Sequence, residues 1–378
     1  MKIYLDNAAT TAIDRSVQKI INRISLKNFA NASSVHTAGL EAKKNLENAR
    51  QTIARSLNAE PKEIIFTGSG TEANNFVVKG LFFQNFPDKN HIITTQIEHD
   101  CILNACRWLE TKGAEVTYLP VNEQGFVNPE DLKKAITDKT FLVSIIHGNN
   151  EIGTIQDLKT LSQICHEKGV LFHTDACQSY TKVPLNIKND GLDLATINAH
   201  KIHGPKGVGG LFIKRGLKIQ PLLHGGGQEF GLRSSTENLA GITGFAKAVE
   251  LVKLKDIQKM SELRDWFIQE ILKIEGARLN GPTGNNRLCN NINLSFFMIE
   301  GEMLRNELNR AGIFISTGSA CSSSSQKTSH VIKAIGCPME YIHGNIRISL
   351  SKYTTKKELM NAAKILKHLV QKNKMHSL

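Results

Sequence analysis

Short apolar runs separated by helical patterns recur through the first half of the chain, and this alternation is what most narrows its fold. Residues 64–67 precede a helical pattern from about 71 to 83, and 91–95 precede one from about 101 to 111. Residues 141–147 form another short run, followed by a helix over 158–167 and by runs at 170–174, 192–197 and 209–213. Runs this short read as strands. Strands alternating with helices build a mostly parallel sheet covered on both faces. The expected class is therefore α/β, and cofactor sites in such sheets lie beyond the carboxyl ends of the strands.

The pattern then changes. A helix is expected over about 236–255 and a second over 256–274, followed by a strand at 291–296, a helix near 302–311, a strand at 346–350 and a last helix. That order is α+β in character. It divides the 378 residues into a large unit, 13–256, and a smaller one made of 1–12 with 257–378. The smaller unit contains a run of small polar residues, Ser316-Thr317-Gly318-Ser319-Ala320-Cys321-Ser322-Ser323-Ser324-Ser325, which reads as a mobile loop over about 314–328.

Composition excludes several classes. No apolar run approaches the roughly 20 residues that span a bilayer, and the first residues carry no signal-peptide layout, so a cytoplasmic protein is expected. The seven cysteines are scattered without a C-x-x-C pair, which argues against a disulfide framework or a zinc site; no metal is expected. The net charge of +12 reads as a solvated basic surface, or as one suited to an acidic or RNA-bound partner. No aromatics interleave the basic C-terminal stretch, so direct nucleic-acid binding is not expected.

Two segments carry the chemistry. Asp175-Ala176-Cys177-Gln178 ends one expected strand, and Asn198-Ala199-His200-Lys201 follows the next. An Asp and a Lys so placed fit pyridoxal phosphate (PLP): its aldehyde takes a lysine amine, and its pyridine nitrogen takes a carboxylate that keeps the ring an electron sink. Gly68-Ser69-Gly70-Thr71-Glu72 lies between a strand and a helix, where free N–H groups attract a phosphate; an ordinary capped helix has the same look. His99, just past a strand, could stack on a flat ring and move protons, though a lone His is commonly a satisfied core or surface residue. Asn150, in Asn149-Asn150-Glu151-Ile152-Gly153, could bond a ring oxygen or a substrate carboxylate, or merely make a turn. Arg347 offers a fork for a carboxylate, or is a surface strand charge. Cys321 reads equally as a mobile nucleophilic thiol and as an incidental cysteine in a linker.

Taken together these residues resemble the class V aminotransferase-like cysteine desulfurases of the NifS and IscS type. The resemblance runs from Leu5-Asp6-Asn7-Ala8-Ala9 through Gly70-Thr71-Glu72-Ala73-Asn74, Glu98-His99, Asp175-Ala176-Cys177-Gln178, His200-Lys201 and Arg233-Ser234-Ser235-Thr236 to Gly318-Ser319-Ala320-Cys321 and Ile346-Arg347. It implies a PLP-dependent transferase of fold type I with a seven-stranded sheet, acting as a homodimer. It implies that Lys201 holds PLP, Asp175 pairs with the pyridine nitrogen, Gln178 with the ring hydroxyl, and His99 stacks on the ring. Gly70, Thr71, His200 and Thr236 of the other subunit would serve the phosphate. Asn198 stands where the family has Ser and still offers an amide donor. Asn150 and Arg347 would orient L-cysteine, and Cys321 would take its sulfur as a persulfide, leaving L-alanine. The sulfur would pass to an acceptor such as an iron–sulfur scaffold or a tRNA-thiolation enzyme. Rival readings are a selenocysteine lyase or another class V aminotransferase and, from a different class, a sulfur-trafficking or tRNA-binding scaffold with vestigial catalysis.

Overall fold

The computed structural model describes residues 2–318 and 328–376. Its strands are β1 (Ile3–Tyr4), β2 (Ile64–Thr67), β3 (His91–Thr95), β4 (Glu115–Leu119), β5 (Thr140–Ser144), β6 (Leu171–Asp175), β7 (Leu194–Asn198), β8 (Gly209–Ile213), β9 (Ala277–Leu279), β10 (Asn291–Phe296), β11 (Ile313–Phe314) and β12 (Ile346–Ser349). Seven of them form one sheet in the order β2-β8-β7-β6-β5-β3-β4. The fold class read from the alternation is the one found. The first residues, 1–6, read as a strand and contain β1. β4 was not legible in the apolar runs, because exposed Glu115 and half-buried Val116 and Thr117 lack the continuous apolar signature.

The sheet is buried on both faces, and consecutive residues divide between two cores as the period of two requires. Ile93, Val143, Ala195, Ile197 and Phe212 enter one cluster with Leu46, Ile53 and Phe245. Ile92, Leu142, Leu194, Leu211 and Ile213 enter the other with Phe76, Val77 and Leu81.

β8 alone runs against its neighbours: it pairs antiparallel with both β2 and β7, whereas β7-β6, β6-β5, β5-β3 and β3-β4 are parallel. An antiparallel neighbour needs no helical crossover. The chain therefore leaves β7 and returns through 199–208 at the same edge of the sheet. Lys201 lies in this connection, beside the end of β6, because β6 and β7 are in register with Asp175 opposite Thr196.

The remaining strands lie elsewhere. β12-β10-β9 form an antiparallel sheet, and β1 pairs in parallel with β11. Ile3 and Leu5 share a core with Phe267, Ile271, Ile292, Leu294, Phe296, Ile348 and Leu366. The two long helices expected over 236–274 are Leu239–Glu250 and Leu254–Leu272. The first begins later than its periodicity because Asn238 caps it, accepting from Gly241 N at 3.0 Å.

Candidate active site

Asp175 ends β6 with both carboxylate oxygens engaged: Oδ1 accepts Cys177 N at 2.8 Å and Oδ2 accepts Asn74 Nδ2 at 2.7 Å. Asn74 comes from the helix Gly70–Asn85, one turn after its start. That start is capped by Ser69, whose hydroxyl accepts Glu72 N at 3.1 Å. Glu72 turns back to take Gly68 N at 2.8 Å and Arg233 Nε at 2.7 Å, which braces the turn. Gly70 is required here for space, because a Cβ would lie 2.4 Å from Cys177 Sγ. The same position is 3.7 Å from Asn198 Nδ2, so the Asn198 amide faces the helix start. Thr71, exposed, stands on that first turn.

The charges of Lys201 and Asp175 both act on His99. Burial, then the Lys201 charge, lower the His99 pKa, while Asp175 acts in the opposite sense. His99 Nδ1 accepts Cys101 N at 3.2 Å, which leaves the proton of the neutral ring on Nε2. His200 is pushed down to about 4 by burial, with Lys201, Lys206 and Lys182 adding to the effect, and its Nδ1 meets Thr10 Oγ1 at 3.2 Å. Gln178 donates to Ala8 O at 2.8 Å, so the N-terminal segment forms one side of the site.

Arg347 is no surface charge: it is 2% exposed. Its Nη2 meets Asp6 Oδ1 at 2.9 Å and its Nη1 donates to Asn150 O at 3.2 Å. Arg347 Nε, Asn198 Oδ1 and Asn74 Oδ1 are buried without a hydrogen-bond partner among the described residues. Such orphaned atoms mark polar capacity that the chain itself leaves unused.

Gly70, Thr71, Asp175, His99, Asn198, His200, Lys201 and Gln178 thus gather at one edge of the sheet, with Asn150 and Arg347 joined to each other beside it. Thr236 is exposed beside Thr67, Gly68 and Asn238. Cys321 lies outside the described residues.

Asn74, Asp6, Glu98 and Cys101 were not singled out from the sequence. Asn74 had a signal: it falls one turn from Gly70 on the helix face that also carries Ala73 and Val77, and a polar residue on a buried stripe implies a partner. Glu98, wholly enclosed, accepts Thr95 Oγ1 at 2.7 Å and Ile146 N at 2.8 Å, and burial pushes its pKa up to about 8. Cys101 and Cys177 are likewise held as thiols: burial pushes Cys101 up to about 12 and Cys177 well above its usual value.

The chain is 48% identical over 375 residues to the cysteine desulfurase IscS of Dictyoglomus turgidum, covering 98% of this chain and 95% of that protein. Among solved structures it is similar to a NifS-like protein, with a TM-score of 0.92 and 37% identity over 98% of this chain and 100% of that one. It is also similar to SspA in complex with cysteine, with a TM-score of 0.84 and 34% identity over 94% and 100%. The aminotransferase class-V model matches residues 3–361. With the strand-end Asp, the Lys beyond the next strand and these likenesses in place, the chain belongs to the class-V aminotransferase family, alongside the IscS and NifS-like proteins.

Proposed function

We propose that this protein is a PLP-dependent cysteine desulfurase that converts L-cysteine to L-alanine and takes the sulfur onto Cys321. The observation that carries the reading is the electrostatic convergence of Asp175 and Lys201 on His99, from the ends of β6, β7 and β3 in one sheet, in a chain 48% identical to a cysteine desulfurase. The side chains present fit the cofactor: a carboxylate held by two donors, a lysine on the neighbouring connection, and a helix start that no Cβ obstructs. When bound, PLP supplies an electron sink for cleavage at the substrate's carbons.

The chain's own residues do the rest. Asp175 holds the proton on the pyridine nitrogen, and Asn74 and Cys177 N fix the carboxylate's direction. Lys201 would hold the cofactor through its aldehyde, and Gln178 would meet the ring hydroxyl. His99, whose Nε2 carries the ring proton, would hold or deliver a proton beside the bound cofactor. Gly70 and Thr71 N–H groups, the Asn198 amide and His200 take the phosphate, joined by Thr236 of the second subunit in a homodimer. Asn150 and Arg347 orient the substrate carboxylate, for which Arg347 Nε is unpaired. The Cys321 thiolate forms an S–S bond to the substrate sulfur as the C–S bond breaks, and the carbon keeps the electron pair and is then protonated. L-Cysteine as substrate is supported by the cysteine complex of the similar SspA.

We also infer the division into 13–256 and 1–12 with 257–378, supported by the separate core that joins Ile3 and Leu5 to the C-terminal strands. The sulfur passes onward to an acceptor protein, an iron–sulfur scaffold or a tRNA-thiolation enzyme. Among the described residues no helix is long and apolar enough to cross a membrane, in keeping with a cytoplasmic protein.

The test is to measure L-alanine and sulfide from L-cysteine with a reductant, for wild type and Cys321→Ala. Both products from wild type and their collapse in the variant are expected. Sulfide release unchanged in Cys321→Ala removes the persulfide role. A yellow wild-type protein that makes no L-alanine removes the desulfurase reading.

A further inference from the structure

The chain on either side of 319–327 converges on one buried carboxylate. Glu151 is 1% exposed and directly follows Asn150. Its Oε2 accepts the Ser329 hydroxyl at 2.6 Å. From the other side Gly318 comes so close that a Cβ there would lie 3.1 Å from the same oxygen and 3.4 Å from Ser329 Cβ. Gly318 has φ of +67°, which glycine adopts without a Cβ penalty. The backbone at 318, the Ser329 side chain and the Glu151 carboxylate therefore meet at a single point.

That point is itself fixed. Glu151 O accepts Asn291 Nδ2 at 2.9 Å and Asn293 Nδ2 at 3.1 Å, both from β10. Glu151 N donates to Asn149 Oδ1 at 2.8 Å. Upstream, Ser316 and Arg347 exchange backbone hydrogen bonds at 3.1 and 2.7 Å. Downstream, His330 Nε2 meets Glu98 O at 2.9 Å, next to His99, while Val331, Ile332 and Ile335 pack with Ile97, Ile146 and Ile152. Both flanks are thus tied to the candidate site, and Glu151, bonded to Ser329, packs against Gly318.

A packing role alone does not account for the residue type, since burying a carboxyl costs free energy that an apolar side chain avoids. Nor does helix capping. The Ser329 hydroxyl already accepts Val331 N at 3.1 Å and Ile332 N at 3.2 Å, and Glu151 takes only its proton.

We propose that Glu151 is a positioning residue for sulfur transfer. Its carboxylate holds Ser329 against the backbone at Gly318, and so fixes where the stretch containing Cys321 leaves and rejoins the site beside Asn150 and Arg347. This rests on the desulfurase reading above. Misplacing a reacting group by about 1 Å costs on the order of a hundredfold in rate.

The test uses PLP-loaded Glu151→Ala and Glu151→Gln protein. Three readouts are bound PLP, the absorbance change on adding L-cysteine, and single-turnover persulfide on Cys321 by peptide mass spectrometry. In Glu151→Ala, PLP content and the absorbance change stay within about twofold of wild type, and persulfide formation falls about tenfold or more. Glu151→Gln, whose Oε1 still accepts the Ser329 hydroxyl, recovers most of the rate. Should Glu151→Ala fail to fold, Ser329→Gly breaks the same link at little cost to the cap. A wild-type persulfide rate in the variants overturns the proposal. So does an equal fall in all three readouts, which would give Glu151 a general structural role. Wild type that forms no persulfide overturns the desulfurase reading with it, and the two failures are thereby distinguished.

Discussion

Asn74 donates its side-chain amide to Asp175 Oδ2 at 2.7 Å, from the first turns of the helix Gly70–Asn85 to the last residue of β6. The helix start that suits a phosphate and the carboxylate that suits a pyridine nitrogen are therefore one rigid unit. A hydrogen bond to a charged group contributes about 1.5–3 kcal/mol. Asn74→Ala should weaken PLP binding by roughly 10–100-fold, measured by titrating apoprotein with PLP. An affinity within twofold of wild type would remove Asn74 from the site's support.

Gly70 and Cys177 share one space. Gly70→Ala places its Cβ 2.4 Å from Cys177 Sγ, so PLP affinity and thermal stability should both fall. Replacing the thiol as well, in Gly70→Ala with Cys177→Gly, should restore much of both. The double-mutant cycle isolates the coupling, expected at about 0.5–3 kcal/mol. Strictly additive losses would mean that the clash is relieved elsewhere.

Glu98 gives the fold a pH signature. Burial raises its pKa to about 8 in the folded protein, against an ordinary 4.5. Between those values the folded state holds more protons than the unfolded one, so this contribution is present at low pH and is lost as pH rises through 8. The slope is at most about 1.4 kcal/mol per pH unit. His147 and His173, each pushed down to about 4 by burial, act in the opposite direction, and their contribution is lost as pH falls from 6.5 to 4. Glu98→Gln should therefore gain stability relative to wild type as pH is raised from 5 to 8, in urea titrations at each pH. A difference that does not change with pH would refute a neutral Glu98.

Arg50 and Glu229 form a buried pair, 2.8 Å apart, that holds the start of the 229–236 stretch against β2, where Phe66 N donates to Glu229 Oε2 at 2.7 Å. Removing one partner leaves a buried charge unpaired. Arg50→Ala should cost about 3–5 kcal/mol, seen as a lower urea midpoint, and should loosen PLP binding if Thr236 serves the second subunit's phosphate. Unchanged stability would show that water reaches the vacated space.

Much of this architecture is written in local pattern. Apolar runs too short for helices, punctuated by helical periods, specify the buried sheet, and β3, β8 and β10 begin and end where those runs do. Asp175, His99 and Lys201 were legible because each follows such a run, and a strand end is where a side chain leaves the core. The capping residue Asn238, rather than the hydrophobic period, set where its helix begins. What no local pattern holds is contact across long separations. The antiparallel placement of β8, which returns the Lys201 connection to the edge beside Asp175, is a pairing choice made by the whole sheet. The burial of Arg347 against Asp6, the grip of Asn74 on Asp175 and the meeting of Gly318, Glu151 and Ser329 join residues far apart in the chain. The residue types, and the end of the sheet on which they lie, follow from periods of two and 3.6, which are local. Which polar groups are enclosed together and must satisfy one another depends on packing across long separations, which no local period encodes.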